Sequence, residues 1–206
     1  MNALLAISVL ASTNQVGAKD FFPLEPGMSW SYEVTGDAGG AYIQEVGSPM
    51  DVGGTMRTPL VIKIGGKVVQ TAFYDIAPSA IYVLGHDPKA FFEHPQPVFQ
   101  LEGKGSKWEF EGPSPYEDDK VARMRVKGQS KLVGSKTVLG EKRECLEVDT
   151  ETKIGLSEST ATVFKRQATY AAGVGLVEMT ENVQLGKRSQ KRKVKLVKFE
   201  SKKAGH

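Results

Sequence analysis

Residues 169–185 read TYAAGVGLVEMTENVQL, and this stretch decides the fold class. An aromatic residue stands near its start and the chain turns through Gly173-Val174-Gly175. Val177, Met179, Val183 and Leu185 then alternate with Glu178, Thr180 and Gln184. A period of two describes a strand with one face buried and one wet. Glycine supplies the positive-φ or crowded backbone positions that a tight turn between strands needs. The stretch therefore predicts the closing hairpin of an antiparallel sheet.

The same pattern continues away from it. Residues 29–34 put Trp30, Tyr32 and Val34 on one face, and a second strand is predicted over 41–46, ended by Gly47-Ser48-Pro49. Residues 60–64 and 67–75 flank Gly65-Gly66, the clearest hairpin signal in the chain. Further strands are predicted at 81–84, 98–101, 107–111, 120–131, 136–139, 144–152, 157–166 and 190–200. Residues 86–97 carry Pro88, Pro95 and Pro97 and are expected to form a loop with room for one helical turn, lying over or at the edge of the sheet. The Pro-rich, acidic 112–119 reads as an exposed loop within one domain. About a dozen strands without a helical period predict an all-β fold: a strongly curved antiparallel sheet, half-barrel or barrel, with little helix.

A chain of 206 residues is most economically one domain. Its start has an apolar run over 3–11 followed by small and polar residues, with Val16-Gly17-Ala18 fitting a cleavage site, so 1–18 is expected to be a signal peptide and 19–206 a single β-rich domain. The competing reading of the run is an apolar first strand. No other apolar run approaches the ~18 residues of a membrane-spanning helix. Ser12 and Thr13 stand where a lipid anchor would need Cys, so the expected product is exported, periplasmic or extracellular, soluble and not lipid-anchored. Cys145 is the single cysteine, which rules out an internal disulfide; its strand-like neighbours describe a small semi-buried residue rather than a nucleophile.

The net charge of +3 hides an asymmetry. Residues 1–119 hold 7 Lys+Arg against 15 Asp+Glu, and residues 120–206 hold 20 against 9. Cross-strand pairs between an acidic first half and a basic second half would use this, at about 0.2–1 kcal/mol each.

Two stretches together resemble a known group. Phe22-Pro23-Leu24, Pro26-Gly27, Trp30 and Tyr32 near the start, with Tyr170-Ala171 and Gly173-Val174-Gly175-Leu176-Val177 near the end, are similar to a broad group of exported, β-rich bacterial proteins of unknown function. That group pairs an F-P-L-x-x-G-x-x-W-x-Y opening with a Y-A-x-G-V-G-L-V hairpin. The resemblance implies export and a curved sheet or half-barrel, somewhat like the periplasmic lipoprotein carriers. It implies no catalytic residues. A third landmark, Gly140 to Cys145-Leu146-Glu147-Val148, lacks the aromatic usual after the glycine.

Motifs for chemistry are sparse. Gly134-Ser135-Lys136-Thr137 fails the spacing of a phosphate-binding loop. His86, Asp87, Glu93 and His94 lack a third nitrogen or sulfur ligand in tight register, and Glu117-Asp118-Asp119 lacks the alternation of a calcium loop. No metal and no cofactor are expected. There is no G-x-S-x-G elbow, only His86, His94 and His206 could serve as imidazole bases, and no catalytic residue is assigned.

Binding is therefore preferred over catalysis. Trp30, Tyr32, Phe73, Trp108 and Phe110 are the candidates to line a concave face for an apolar small molecule or lipid, and the same residues packed into a solid core are the slightly favoured alternative. Lys187, Arg188, Lys191, Arg192, Lys193 and Lys195 form a basic strand. It reads either as edge protection and pairing with the acidic half or as an anion-binding face. Only Phe199 offers base stacking there, which argues against nucleic acid. The readings carried forward are an exported non-enzymatic protein binding an apolar ligand or an envelope protein partner, a structural module docking on anionic surfaces through the basic strand, and a carboxylate-dependent hydrolase of envelope polymers.

Overall fold

A computed structural model describes residues 16–37, 39–114, 122–157 and 160–201. The apolar run with Ser12 and Thr13, the Glu117-Asp118-Asp119 cluster and His206 lie outside the described residues. A 3-10 turn, Ala18–Phe21, comes first. Among the described residues fourteen strands follow: β1 Ser29–Gly36, β2 Gly40–Val46, β3 Met50–Val52, β4 Thr55–Arg57, β5 Pro59–Ile64, β6 Lys67–Ile76, β7 Ala80–Asp87, β8 Ala90–Gln100, β9 Gly105–Pro113, β10 Arg123–Val138, β11 Glu141–Gly155, β12 Thr162–Ala171, β13 Gly175–Leu185 and β14 Arg188–Glu200.

Twelve of them form one antiparallel sheet in the order β8-β7-β6-β5-β2-β1-β14-β13-β12-β11-β10-β9, while β3 and β4 make a separate small hairpin. The sheet curls until its end strands, β8 and β9, face each other, leaving a nearly closed barrel with one unsealed seam. A side chain bridges that seam at one end. Ser130 Oγ on β10 donates to the Gln100 carbonyl on β8 at 2.5 Å, while the Leu132 N–H, donating to the Lys104 carbonyl at 2.9 Å, extends the β9–β10 ladder. The all-β, curved antiparallel fold is the one the alternation predicts.

The hairpin of 169–185 joins β12 to β13, and its turn ties three distant parts of the chain together. Gly173 and Gly175 adopt φ of +70° and +93°, which a side chain would disfavour. The Gly173 N–H donates to the Asp20 carbonyl at 2.7 Å, Trp30 Nε1 donates to the Val174 carbonyl at 2.5 Å, and the Tyr32 hydroxyl donates to the Leu176 carbonyl at 3.0 Å. The sheet is joined end to end through β14, which pairs with β1.

Three details differ from the sequence reading. Residues 86–97 are not a loop: β7 runs to Asp87 and β8 begins at Ala90, with the prolines absorbed because β8 is an end strand and its pairing with β7 shifts register at three places. The strands read at 120–131 and 136–139 are parts of one strand, β10, over its described span Arg123–Val138, in which Val133 is skipped at a bulge and Gly134 takes φ +75°. The β3–β4 hairpin has strands of three residues, too short to show a period, around Gly53-Gly54.

The interior divides into two halves. Around β13, β14, β1 and the 3-10 turn it is filled, with Phe21, Tyr32, Val174, Val194 and Ala171 essentially inaccessible. Where β10, β11 and β12 face β7 and β8, a smaller cluster of Met124, Val126 and Ile154, joined by Phe110 and Phe164, leaves space.

Candidate ligand cavity

That space is a cavity of about 470 Å³, within the range of small-molecule sites. Its walls follow from strand alternation. Met124 and Val126 on β10, Val148, Thr150, Thr152 and Ile154 on β11, and Thr162, Phe164, Arg166, Ala168 and Tyr170 on β12 are every second residue, so all point to one face. Val83 on β7 and Gln96, Pro97 and Val98 on β8 close the opposite side. Among the described residues the wall is mainly aliphatic and aromatic, with a few hydroxyls, one amide and a single charged group, Arg166.

Arg166 belongs to a row that crosses the inner face. Pairing places Trp108 opposite Gly128, Gly128 opposite Thr150, Thr150 opposite Arg166, Arg166 opposite Glu181, and Glu181 opposite Arg192. Glu181 is 1% exposed. Its Oε2 accepts from Arg166 Nε at 3.0 Å and Nη2 at 2.5 Å, and its Oε1 lies 2.6 Å from Arg192 Nη2. Burial pushes the Glu181 carboxyl up, but the Arg166 guanidinium and then Arg192 outweigh it and hold the group below the ordinary carboxylate range. One carboxylate is shared by the two guanidiniums. At the other end of the row, the Trp108 indole lies over Gly128, where a Cβ would come within 2.1 Å of Cε2. Trp108 Nε1 is buried and has no hydrogen-bond partner among the described residues.

Of the aromatic candidates from the sequence, Trp30 and Tyr32 lie in the filled half, held by the turn of 169–185. Phe73 is fully buried against Phe91, 5.4 Å between ring centroids. Phe110 packs on the cluster beside the cavity, and Trp108 shares a row with two cavity residues. None of the five is part of the wall itself. Phe164, Met124, Ile154 and Arg166 were missed, although the signal was present. Arg166 falls in phase with Phe164 and Ala168, Glu181 with Met179 and Val183, and Arg192 with Val194 and Leu196. Charges in the buried phase of three neighbouring strands mark an inner polar cluster.

The basic strand is not one surface. Arg192 turns inward to Glu181, and Lys193 pairs with Glu178 at 2.6 Å, while Lys187, Arg188, Lys191 and Lys195 are exposed. Cross-strand pairing of the acidic first half with the basic second half occurs at β9–β10, where Glu109 meets Lys127 at 3.2 Å and Glu111 meets Arg123 and Arg125 at 3.3 Å. On the outer face, Glu109, Lys127, Glu151, Lys165, Asn182 and Lys191 form one row of largely alternating charge beside a polar trough of about 820 Å³. The trough is larger than the inner cavity, and Trp108, Gly128, Thr150 and Arg166 of the first row line it together with solvated, mutually paired side chains.

Among the described residues no group of three or more His, Cys, Asp or Glu side chains is placed to share a metal ion. His86 stacks edge-on to Phe92 at 5.3 Å, and burial pulls its imidazole below the ordinary value. Burial likewise pushes the Cys145 thiol up, away from the thiolate a nucleophile needs. No helix among the described residues is long and apolar enough to cross a membrane.

Fold and cavity together define a nearly closed antiparallel β-barrel with an apolar inner pocket and an internal arginine–glutamate cluster. No family model matches the chain, and no curated protein matches it. Three solved structures are similar to it. One, described as a lipoprotein from Parabacteroides distasonis, has a TM-score of 0.45 and 13% identity over 87% of this chain and 98% of that chain. Another, described as an exported protein with a YmcC-like fold from Bacteroides fragilis, has a TM-score of 0.45 and 11% identity over 88% and 99%. The third, described as the lipoprotein YmcC of Escherichia coli, has a TM-score of 0.34 and 9% identity over 90% of each chain. Two of the three are thus described as lipoproteins, which overturns the expectation that the chain is not lipid-anchored. That expectation rested on a missing thiol at one position, which speaks only to a thioether-linked lipid there.

Proposed function

We propose that this is an exported, non-enzymatic binding protein that holds an apolar ligand in the cavity between β10–β12 and β7–β8. The observation that carries the reading is that a barrel with a well-filled half keeps about 470 Å³ open in its other half, walled by Met124, Val126, Ile154 and Phe164. Cores ordinarily close such space, because voids forfeit packing contacts. Among the described residues the cavity wall carries no carboxylate, and Glu109, Asp149 and Glu151 by the polar trough are engaged by Lys127, Gln129 and Lys165. This favours binding over paired-carboxylate hydrolysis, which needs two carboxyls across a cleft. The division of the basic strand between inward and outward residues weakens docking on anionic surfaces as its main role. The leader over residues 1–18 and the single domain over 19–206 are part of the proposal. Native mass spectrometry of protein purified from its own host's envelope fraction tests it. Added mass that is lost on denaturation supports a carrier, and a bare chain that takes up no apolar compound contradicts it.

A further inference from the structure

We propose that the ligand passes in and out of the cavity sideways, through the seam between β8 and β9, with Phe110 as the side chain that controls its passage. This rests on the binding reading above and deepens it. β8 and β9 are consecutive strands at the two ends of the sheet, and among the described residues no strand pairing joins them. They are pinned at one end, where the buried Ser130 hydroxyl donates to the Gln100 carbonyl and accepts from the Ser106 N–H at 3.2 Å. Away from that pin, residues 90–95 of β8 are largely exposed, and Pro95 and Pro97 lack the N–H that a ladder needs. Adjacent strand edges ordinarily pair, because unpaired edges are a liability. The prolines keep part of this one open.

The cavity lies directly behind this seam. Among the described residues its wall is drawn from β7, β8, β10, β11 and β12. The strand between β8 and β10 in the curled sheet is β9, which contributes nothing to the wall, so the gap in the wall falls at the seam. Phe110 stands at that gap. It faces Val126 across β9 and β10 and packs on the cluster of Met124, Val126 and Ile154. Its ring lies against Gly112, where a Cβ would come within 2.9 Å of Cζ, and the same Cβ would stand 3.8 Å from His94 Cβ on β8. A half-buried ring held by packing contacts alone can swing aside on a rotamer change. The end of the barrel at the 3-10 turn offers no such path, because Ala18, Phe21, Ala171 and Val174 seal it.

The 3.8 Å between His94 Cβ and a Cβ at position 112 is a separation that a disulfide spans, so His94→Cys with Gly112→Cys can lock the seam. Cys145 is buried and stays in place. The test measures uptake and release rates of the apolar probe N-phenyl-1-naphthylamine by stopped-flow fluorescence. It compares the wild type, the double variant oxidised and reduced, and Phe110→Ala. Oxidation is expected to slow uptake about tenfold or more, and reduction of the same sample to restore it. The new side chain at 112 displaces the Phe110 ring in both states, so the difference between them reports the lock alone. Phe110→Ala is expected to raise both rates about threefold or more with little change in Kd, whereas a merely structural part would shift Kd. Equal uptake by the oxidised and reduced forms overturns the seam route and assigns passage to the barrel end beside the exposed Leu156, leaving the carrier reading in place. No uptake by the wild type overturns the carrier reading itself. If the disulfide does not form, Phe110→Ala decides alone: unchanged rates, or a shifted Kd without matched rates, overturn the proposal.

Discussion

Arg166 and Glu181 face each other across β12 and β13 on the inner surface of the barrel, joined at 3.0 Å and 2.5 Å through two nitrogens of the guanidinium. The carboxylate is buried while the arginine is half-exposed, so the pair joins the sealed interior to the cavity. Removing the carboxylate would leave Arg166 and Arg192 opposed without their shared counter-ion. Glu181→Gln is expected to destabilise the fold by about 2–3 kcal/mol, below the ~3–5 of fully buried pairs because both arginines reach solvent. Urea unfolding at neutral pH measures it.

Acid should erase part of that difference. The folded-state value of Glu181 lies below its unfolded value, so its stabilisation is present above the ordinary carboxylate value of about 4.3 and is lost as pH falls through the folded value. The urea midpoints of wild type and Glu181→Gln are expected to converge between pH 5 and 2, at about those limits.

Alkali should act through the stacked tyrosines. Tyr42, 4.9 Å from Tyr32 between ring centroids, is pushed up to about 12 mainly by burial. A raised folded-state value means full stabilisation below the unfolded value of about 10 and loss as pH rises toward the folded one. Phenolate absorbance from Tyr42 should appear together with unfolding, and Tyr42→Phe should delay that unfolding.

Gly128 can be tested by adding one carbon. A Cβ there would come within 2.1 Å of Trp108 Cε2 and 2.6 Å of Nε1, so the indole must leave its place. Gly128→Ala is expected to cost about 1–3 kcal/mol and to red-shift tryptophan emission. Unchanged emission would mean the indole does not rest on this glycine.

The β10–β11 turn offers a gain. Among the described residues Leu139 is the non-glycine residue with positive φ, +47°, and it is 52% exposed beside Gly140 at +88°. Asn and Gly accept that conformation more readily than Leu. Leu139→Asn is expected to raise stability by about 0.5–1 kcal/mol, read as a higher midpoint of thermal unfolding.

The fold was largely legible because strands announce themselves locally. Trp30 and Tyr32 alternate with polar neighbours, and Gly65-Gly66 and Gly173/Gly175 occupy the turns their conformational freedom suits. Residues 86–97 misled because proline signals a break only where a strand has neighbours on both sides, and β8 is an end strand. The site was less legible. Large aromatics were candidates for a concave face, with a solid core slightly favoured for the same residues, and Trp30, Tyr32 and Phe73 are buried in packed parts of the interior. The cavity instead lies behind Thr150, Thr152, Thr162 and Ala168, smaller side chains that leave room. Which half of a barrel is filled depends on strand order across the whole sheet, and alternation within a single strand does not carry that information.

The inner cavity is tested most directly by filling it. Fluorescence of the apolar probe N-phenyl-1-naphthylamine should be measured with the wild-type chain and with Ala168→Phe, whose new ring would project into the cavity from β12. The account predicts enhanced, saturable emission with the wild type and its loss in a folded Ala168→Phe protein. Equal emission from both proteins, or none from the wild type, would contradict it.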